Sequence, residues 1–271
     1  MANAAHISHL ASQSGTQQLL AEFNPDWPPL LVLTEHSPPG EYLDENGQLT
    51  GATVNLVRHL MEQMGETGNM LLLPWARGLE MAKNRTNIAL FETIRNNDRE
   101  NQFKWVGPLK HYQISLYART DRVKPRLSMQ QLTQGYNVCA NRGSVYANML
   151  QDQGFIVNKN LVLTVNEDRC ARMLVQQRVD LAPFNENTMQ RLEASYAMGN
   201  VQLFPAILLT DIKLYIAFSK DVDDARILRW QQALETSYQD GTMRKLYTGV
   251  YTEQAIKRLE QFAAKQTLLS H

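Results

Sequence analysis

Three arginines, Arg77, Arg95 and Arg99, fall within a short stretch of this 271-residue chain. Each offers a planar guanidinium fork that matches the two oxygens of a carboxylate. Further on, Gly143-Ser144 stands where a loop feeds a helix. Backbone N–H groups point outward at such a place, and the helix dipole favours an anion. Ser144 equally suits an ordinary N-cap role, and the two roles are compatible. Bond-breaking chemistry has no comparable signature: there is no GxSxG, no Walker loop, no HExxH and no cysteine with an evident histidine base. The two cysteines, Cys139 and Cys170, match no zinc or thioredoxin spacing. Both lie in apolar surroundings, so they read first as buried free thiols, with a disulfide as the alternative in an exported protein. No catalytic residue, metal site or cofactor is expected.

The elements that must position these groups are those of an ordinary globular chain. Basic and acidic residues balance at 27 each, and 44% of the residues are hydrophobic. With no basic excess or stripe, a nucleic-acid partner is not expected. The length allows one large or two smaller domains. No apolar run reaches the roughly 18 residues that cross a bilayer. The first twenty residues lack the basic and apolar regions of a secretory signal. A cytoplasmic protein and a mature exported chain both fit that, and Ala2-Asn3-Ala4 looks like the small-x-small end of a cleaved signal.

Residues 5–24 read as a polar leader, broken by Asn24-Pro25-Asp26-Trp27-Pro28-Pro29. A buried-type strand follows at 30–34, then a helical spacing from Val54 to Met64 stopped by Gly65. Strands are expected at 69–74, 88–91, 103–106 and 114–118, with a short helix at 75–83. A second run of strands, at 136–140, 161–164 and 179–183, alternates with helices at 128–132, 145–153, 168–177 and 188–197. A long strand over 208–218 returns towards the first unit, and helices at 225–240 and 252–266 finish the chain. Strand–helix alternation of this kind predicts an α/β protein with a largely parallel sheet.

The order of the local motifs resembles family 3 extracellular solute-binding proteins, the amino-acid-binding class with the type II periplasmic fold. The residues that carry this are Thr34-Glu35 with Pro38-Pro39, Asn46 to Gly51, Pro74-Trp75-Ala76-Arg77, Asn96 to Glu100, Phe103 to Leu109, Arg142-Gly143-Ser144, Arg178-Val179-Asp180 and Asp240-Gly241-Thr242. The resemblance spans about residues 28–250. It implies two α/β lobes, each a mixed sheet flanked by helices, with a ligand held between them. Residues 1–27 would be a leader, 28–118 plus 213–271 lobe one and 122–209 lobe two, with crossings at 118–121 and 210–213.

The resemblance also implies site residues. Arg99 is where the family grips a ligand carboxylate, and Asn96 stands where the family has Thr. Trp75 matches a position that often carries an aromatic platform, and Arg77 beside it would favour a second anionic group. Gly143 and Ser144 would meet the same carboxylate from lobe two. Glu35 and Tyr42 follow the first strand and so stand at the cleft mouth by the carboxyl-end rule, Glu35 to take an ammonium and Tyr42 to stack. One departure concerns the ammonium: the family presents an Asp about five residues beyond the position of Asp180, and here that position is Asn185, with Glu186 next to it. Glu186 or Glu35 substitutes, or the ligand lacks an α-ammonium.

The implied function is a periplasmic, monomeric solute-binding protein without catalytic chemistry. It would clamp a small carboxylate-bearing ligand and present it to an ABC permease or a membrane sensor. Two other functions occur on such a fold: a ligand-sensing domain of a larger receptor, and a dehydratase acting on prephenate-like substrates through a cleft carboxylate such as Glu35 or Glu186.

Overall fold

The structure, a computed structural model, describes residues 27–165, 167–196 and 202–269. The expected leader before Trp27 and the last residue of the helix expected at 188–197 lie outside the described residues. The chain opens with β1 (Leu30–Thr34), a small hairpin of β2 (Tyr42–Leu43) and β3 (Leu49–Thr50), and α1 (Ala52–Met64). Gly51 allows that helix to start where it does. Its φ is +125°, and a Cβ there would stand 2.1 Å from the Gly40 carbonyl oxygen. Gly65 ends the helix in the left-handed conformation, its N–H bonded back to Met61 and Glu62. Between those glycines the apolar stripe Val54, Leu56, Val57, Leu60, Met61 and Met64 is buried.

Next come β4 (Gly68–Leu72), α2 (Trp75–Asn84), β5 (Ile88–Ile94) and the single turn α3 (Asn97–Glu100). The long strand β6 (Lys104–Arg119) leads into α4 (Met129–Gly135), β7 (Val138–Asn141), α5 (Val145–Asp152), β8 (Leu161–Thr164), α6 (Glu167–Val175), β9 (Leu181–Asn185) and α7 (Glu186–Ser195). The second long strand β10 (Leu203–Phe218) returns, and α8 (Asp224–Gln239), α9 (Thr242–Tyr247) and α10 (Glu253–Leu269) follow. No described helix is long and apolar enough to cross a membrane.

The eight principal strands form one mixed sheet in the order β4-β1-β5-β10-β6-β9-β7-β8. β6 and β10 run antiparallel along their whole length, Leu203 opposite Arg119 and Phe218 opposite Lys104. β5 attaches to β10 only over Leu214–Phe218, and β9 attaches to β6 only over Ile114–Ala118. Between those attachments, His111–Gln113 and Asp211–Lys213 pair with each other and with no third strand. Around β1, β5 and the lower halves of the long strands, one core packs α1, α8, α9 and α10 against one sheet face, with Trp230 fully buried. A smaller core under α2 covers the other face. Two more cores lie around β7 and β9, one reaching Leu132 of α4 and Leu150 of α5, the other reaching α6 and α7.

Two expectations change. The strands expected separately at 103–106 and 114–118 are one strand, β6. Gly107-Pro108 looks like a break because proline has no N–H to give a ladder. Here the ladder steps over Gly107–Leu109, and the Gln231 side chain bonds both the N–H (2.9 Å) and the carbonyl (3.3 Å) of Gly107. The cysteines are not free thiols: Cys139 of β7 and Cys170 of α6 form a disulfide, with Cα atoms 5.6 Å apart. Apolar context alone favours a buried thiol, but both side chains enter the same core from a strand and from the helix over it.

Candidate functional site

The loop after β5 is built around Asn96. Its side chain accepts from the Arg99 N–H at 3.1 Å and so caps α3, which fixes where Arg99 leaves the backbone. The Arg99 guanidinium lies 5.4 Å from the centre of the Trp75 ring, and its Nη1 donates to the Ile94 carbonyl at 3.3 Å. Trp75 is the first residue of α2, so its ring is anchored by packing on the core under that helix. Cation–π contact with one anchored face leaves the guanidinium preorganised rather than swinging in solvent.

Arg99, Asn96 and Ile94 line a cavity of about 670 Å³. Its other walls are Val145 and Met149 of α5 and the stretch Thr210–Lys213 of β10, so elements from both ends of the sheet meet there. Ser144 caps α5, accepting from Ala147 N at 3.1 Å, and Gly143 before it takes a φ of +73°, which glycine tolerates. Val145 heads the helix, 60% exposed, on the cavity wall. A helix N-terminus and an oriented guanidinium thus border one space, an arrangement that suits an anion.

Arg95 also lines this cavity but is engaged. It makes a two-pronged ion pair with Glu100 at 2.6 and 2.7 Å and lies over the rings of Trp105 and Tyr215. Arg77 is exposed on the first turn of α2. Tyr42 sits in the hairpin opposite Thr50. Arg77 and Tyr42 line neither this cavity nor the one described next.

Asn185 and Glu186 are spent on structure. Asn185 caps α7 through a 2.8 Å bond from Thr188 N. Glu186 pairs with Arg258 of α10 and accepts from Gln113 N at 3.3 Å, while Asn187 accepts from Thr252 N at 2.9 Å. These contacts tie the start of α7 to α10 beside β6. They border a second cavity of about 510 Å³ with Gln113, Tyr117 and Met189 in its wall.

Glu35 belongs to a third group, which sequence reasoning missed. Lys110 of β6 lies buried between Glu41 (3.0 Å) and Glu92 (2.6 Å). Burial first, then the charge of Glu41, pushes Glu92 up to about 8, against the pull of Lys110. Burial and Glu41 likewise raise Glu35 above the ordinary carboxylate range. A lysine inside a strand pattern and a lone Glu in Ile88-Ala89-Leu90-Phe91-Glu92 were the available signals. Their partners, far apart in sequence, were not readable. Among the described residues no group of histidine, cysteine or acidic side chains is placed to hold a metal ion.

The profile of bacterial extracellular solute-binding proteins, family 3, matches residues 30–252. The chain belongs to that family. Its α/β fold, a mixed sheet flanked by helices, is the type II periplasmic binding protein fold. Among solved structures, it is similar to a probable amino-acid ABC transporter extracellular-binding protein from Bacillus subtilis, at 16% identity and a TM-score of 0.67 over 84% of this chain and 99% of that one. The L-cystine solute receptor of Neisseria gonorrhoeae in its unliganded open conformation is 20% identical, with a TM-score of 0.65 over 82% and 92%. A histidine kinase sensor domain with similarity to periplasmic binding proteins is 22% identical, with a TM-score of 0.60 over 82% and 95%. No curated protein matches by sequence. As a family 3 protein the chain has a fold in common with both transporter-type and sensor-type binding domains.

Proposed function

We propose that this family 3 protein clamps a small carboxylate-bearing ligand, an amino acid or a related organic acid, between two lobes. In the periplasm it would deliver that ligand, as a monomer, to an ABC-type permease. The observation that carries this is Arg99, held on the Trp75 ring at the edge of a cavity whose far wall is the head of α5. The carboxylate sits in the Arg99 fork, with Asn96, Gly143 and Ser144 shaping the rim. The Cys139–Cys170 disulfide supports an oxidising compartment.

Lobe one comprises the β1, β4 and β5 region with α8 to α10, and lobe two the β7 to β9 region. We place both crossings at His111–Gln113 and Asp211–Lys213, because β9 already pairs with β6 from Ile114 onward. That sets the first crossing ahead of the 118–121 expected from the sequence and keeps the second within 210–213.

A thermal-shift screen against the twenty amino acids, dicarboxylates and aromatic acids tests the proposal. A ligand at 100 times its dissociation constant adds about 2.7 kcal/mol, which raises Tm by roughly 5–10 °C for a chain of this size. A carboxylate hit is expected, and silence across all carboxylates would sink the reading.

The similarity to a histidine kinase sensor domain favours ligand sensing as the alternative. Uptake of the labelled hit by cells lacking the protein separates the two. Lost uptake supports delivery to a permease, and intact uptake supports sensing.

A further inference from the structure

Arg99 is not the only cation of its cavity that stands on a ring. Lys213 of β10 lines the same space of about 670 Å³, and its Nζ lies 5.9 Å from the centre of the Phe262 ring. Both side chains belong to half-buried residues, and among the described residues neither makes an ion pair. Arg99 uses one of its five donors on the Ile94 carbonyl. A half-buried charge whose main partner is an aromatic face still lacks a counter-ion.

The other charged groups of that lining are engaged. Arg95 and Glu100 close on each other at 2.6 and 2.7 Å. Asp211, two positions before Lys213, shares a 2.5 Å hydrogen bond with His111 Nε2 on the facing strand. Three cations, Arg95, Arg99 and Lys213, therefore stand against two carboxylates, Glu100 and Asp211. One positive charge is in excess, and the cations without a counter-ion are the two that rest on rings. A ligand that matches this lining is a net anion.

The loop that carries Arg99 also reaches β10. The Arg95 guanidinium lies 5.7 Å from the centre of the Tyr215 ring, and Tyr215 is two residues beyond Lys213 on the strand. Two strand residues span only about 7 Å, so the loop and Lys213 border the space at close quarters. The rest of the wall is largely apolar, with Val145 and Met149 of α5 facing in and Val145 60% exposed. Such a surface suits a short hydrocarbon chain between two charged ends.

Building on the carboxylate clamp proposed above, we propose that Lys213 takes a second carboxylate of the ligand. The ligand is then a short dicarboxylate, with one end in the Arg99 fork, the other at the Lys213 ammonium and its methylene groups against Val145 and Met149. Lys213 belongs to the stretch Asp211–Lys213 that pairs only with β6, so the second charge is read by a crossing strand rather than by either lobe. A carboxamide in place of the second carboxylate keeps the shape of the ligand and loses the charge-assisted bond.

The test compares each acid with its amide by titration calorimetry at pH 7: succinate with succinamate, glutarate with glutaramate, L-aspartate with L-asparagine, and L-glutamate with L-glutamine. The expected result is that the acid of at least one pair binds roughly tenfold or more tightly than its amide. Lys213→Met and Lys213→Gln should each remove that preference, leaving the affinity for the amide and the ligand-free Tm as in the wild type. Equal binding of acid and amide in every pair, or an unchanged preference in either variant, would overturn the inference while leaving the carboxylate clamp standing. If none of these compounds binds while another carboxylate of the screen does, the inference alone falls. If Arg99→Ala binds acids and amides as well as the wild type does, both readings fall.

Discussion

Burial, and after it the neighbouring Glu41, raises Glu92 to about 8, against the pull of the Lys110 ammonium 2.6 Å away. The pH dependence follows from the sign of that shift. A carboxyl whose pKa rises from 4.5 in the unfolded chain to about 8 in the folded protein binds more protons when folded. Its contribution is complete below 4.5 and is lost as pH climbs through 8. Thermal midpoints of the free protein should therefore fall between pH 5 and pH 9, and Glu35, raised for the same reason, adds to the fall. His111 is lowered by burial, so its own effect runs the other way and appears on acidification below the ordinary histidine range. Glu92→Gln should flatten the alkaline side of the profile and raise the midpoint at pH 8.5. A slope unchanged in the variant would mean that Glu92 is not the titrating group. The sequence could not show this cluster, because Glu41, Glu92 and Lys110 come from a loop and two strands that only the fold brings together. Arg99, Trp75 and Ser144 could be nominated from the sequence because each sits in a short local motif, although Asn96 stands where the family has Thr.

Among the elements, the order and kind of nearly every strand and helix were readable from hydrophobic period, with glycine and proline as stops. The exceptions have local causes. β6 was split at Gly107-Pro108, because the groups that rescue that stretch come from Gln231 on α8. No helix is expected between 240 and 252, where α9 stands, its six residues being too few to display a helical period. The join of α6 to β7 is the alternative reading of the two cysteines rather than the first, and it carries a prediction. Closing a loop of 31 residues' separation, the Cys139–Cys170 bond should stabilise by about 3–4 kcal/mol through the entropy it removes from the unfolded chain. Reductant, or the double Cys→Ala variant, should lower Tm by roughly 6–15 °C, read by circular dichroism. No change would show the bond to be open in solution. The start of α1 carries another. Gly51→Ala adds a Cβ 2.1 Å from the Gly40 carbonyl at a φ of +125°, and should cost more than about 1 kcal/mol in urea denaturation. A neutral result would mean that the β1–α1 loop yields freely.

For the whole molecule, the two long strands connect the β5 end of the sheet to the β9 end through only one doubled ribbon, His111–Gln113 against Asp211–Lys213. The relation between the two ends then depends on contacts beside the ribbon. Glu186 with Arg258 and Asn187 with Thr252 supply them, both partly buried pairs reaching from α7 to α10. Arg258→Ala strands the Glu186 carboxylate and should cost about 1–3 kcal/mol in urea denaturation. A cost near zero would assign the pair no part in holding the ends together. This long-range contact explains why Glu186 read from sequence as a candidate for the ligand's ammonium: the residue is adjacent to the family position, and only α10 shows where its charge goes.

The central claim is that Arg99 grips a ligand carboxylate. The most direct measurement is titration calorimetry of the best carboxylate from the thermal-shift screen into wild-type protein and Arg99→Ala at pH 7. Losing a charge-assisted pair of hydrogen bonds should weaken binding by roughly tenfold to a hundredfold, with the ligand-free Tm unchanged. Equal affinity in the two proteins would contradict the account.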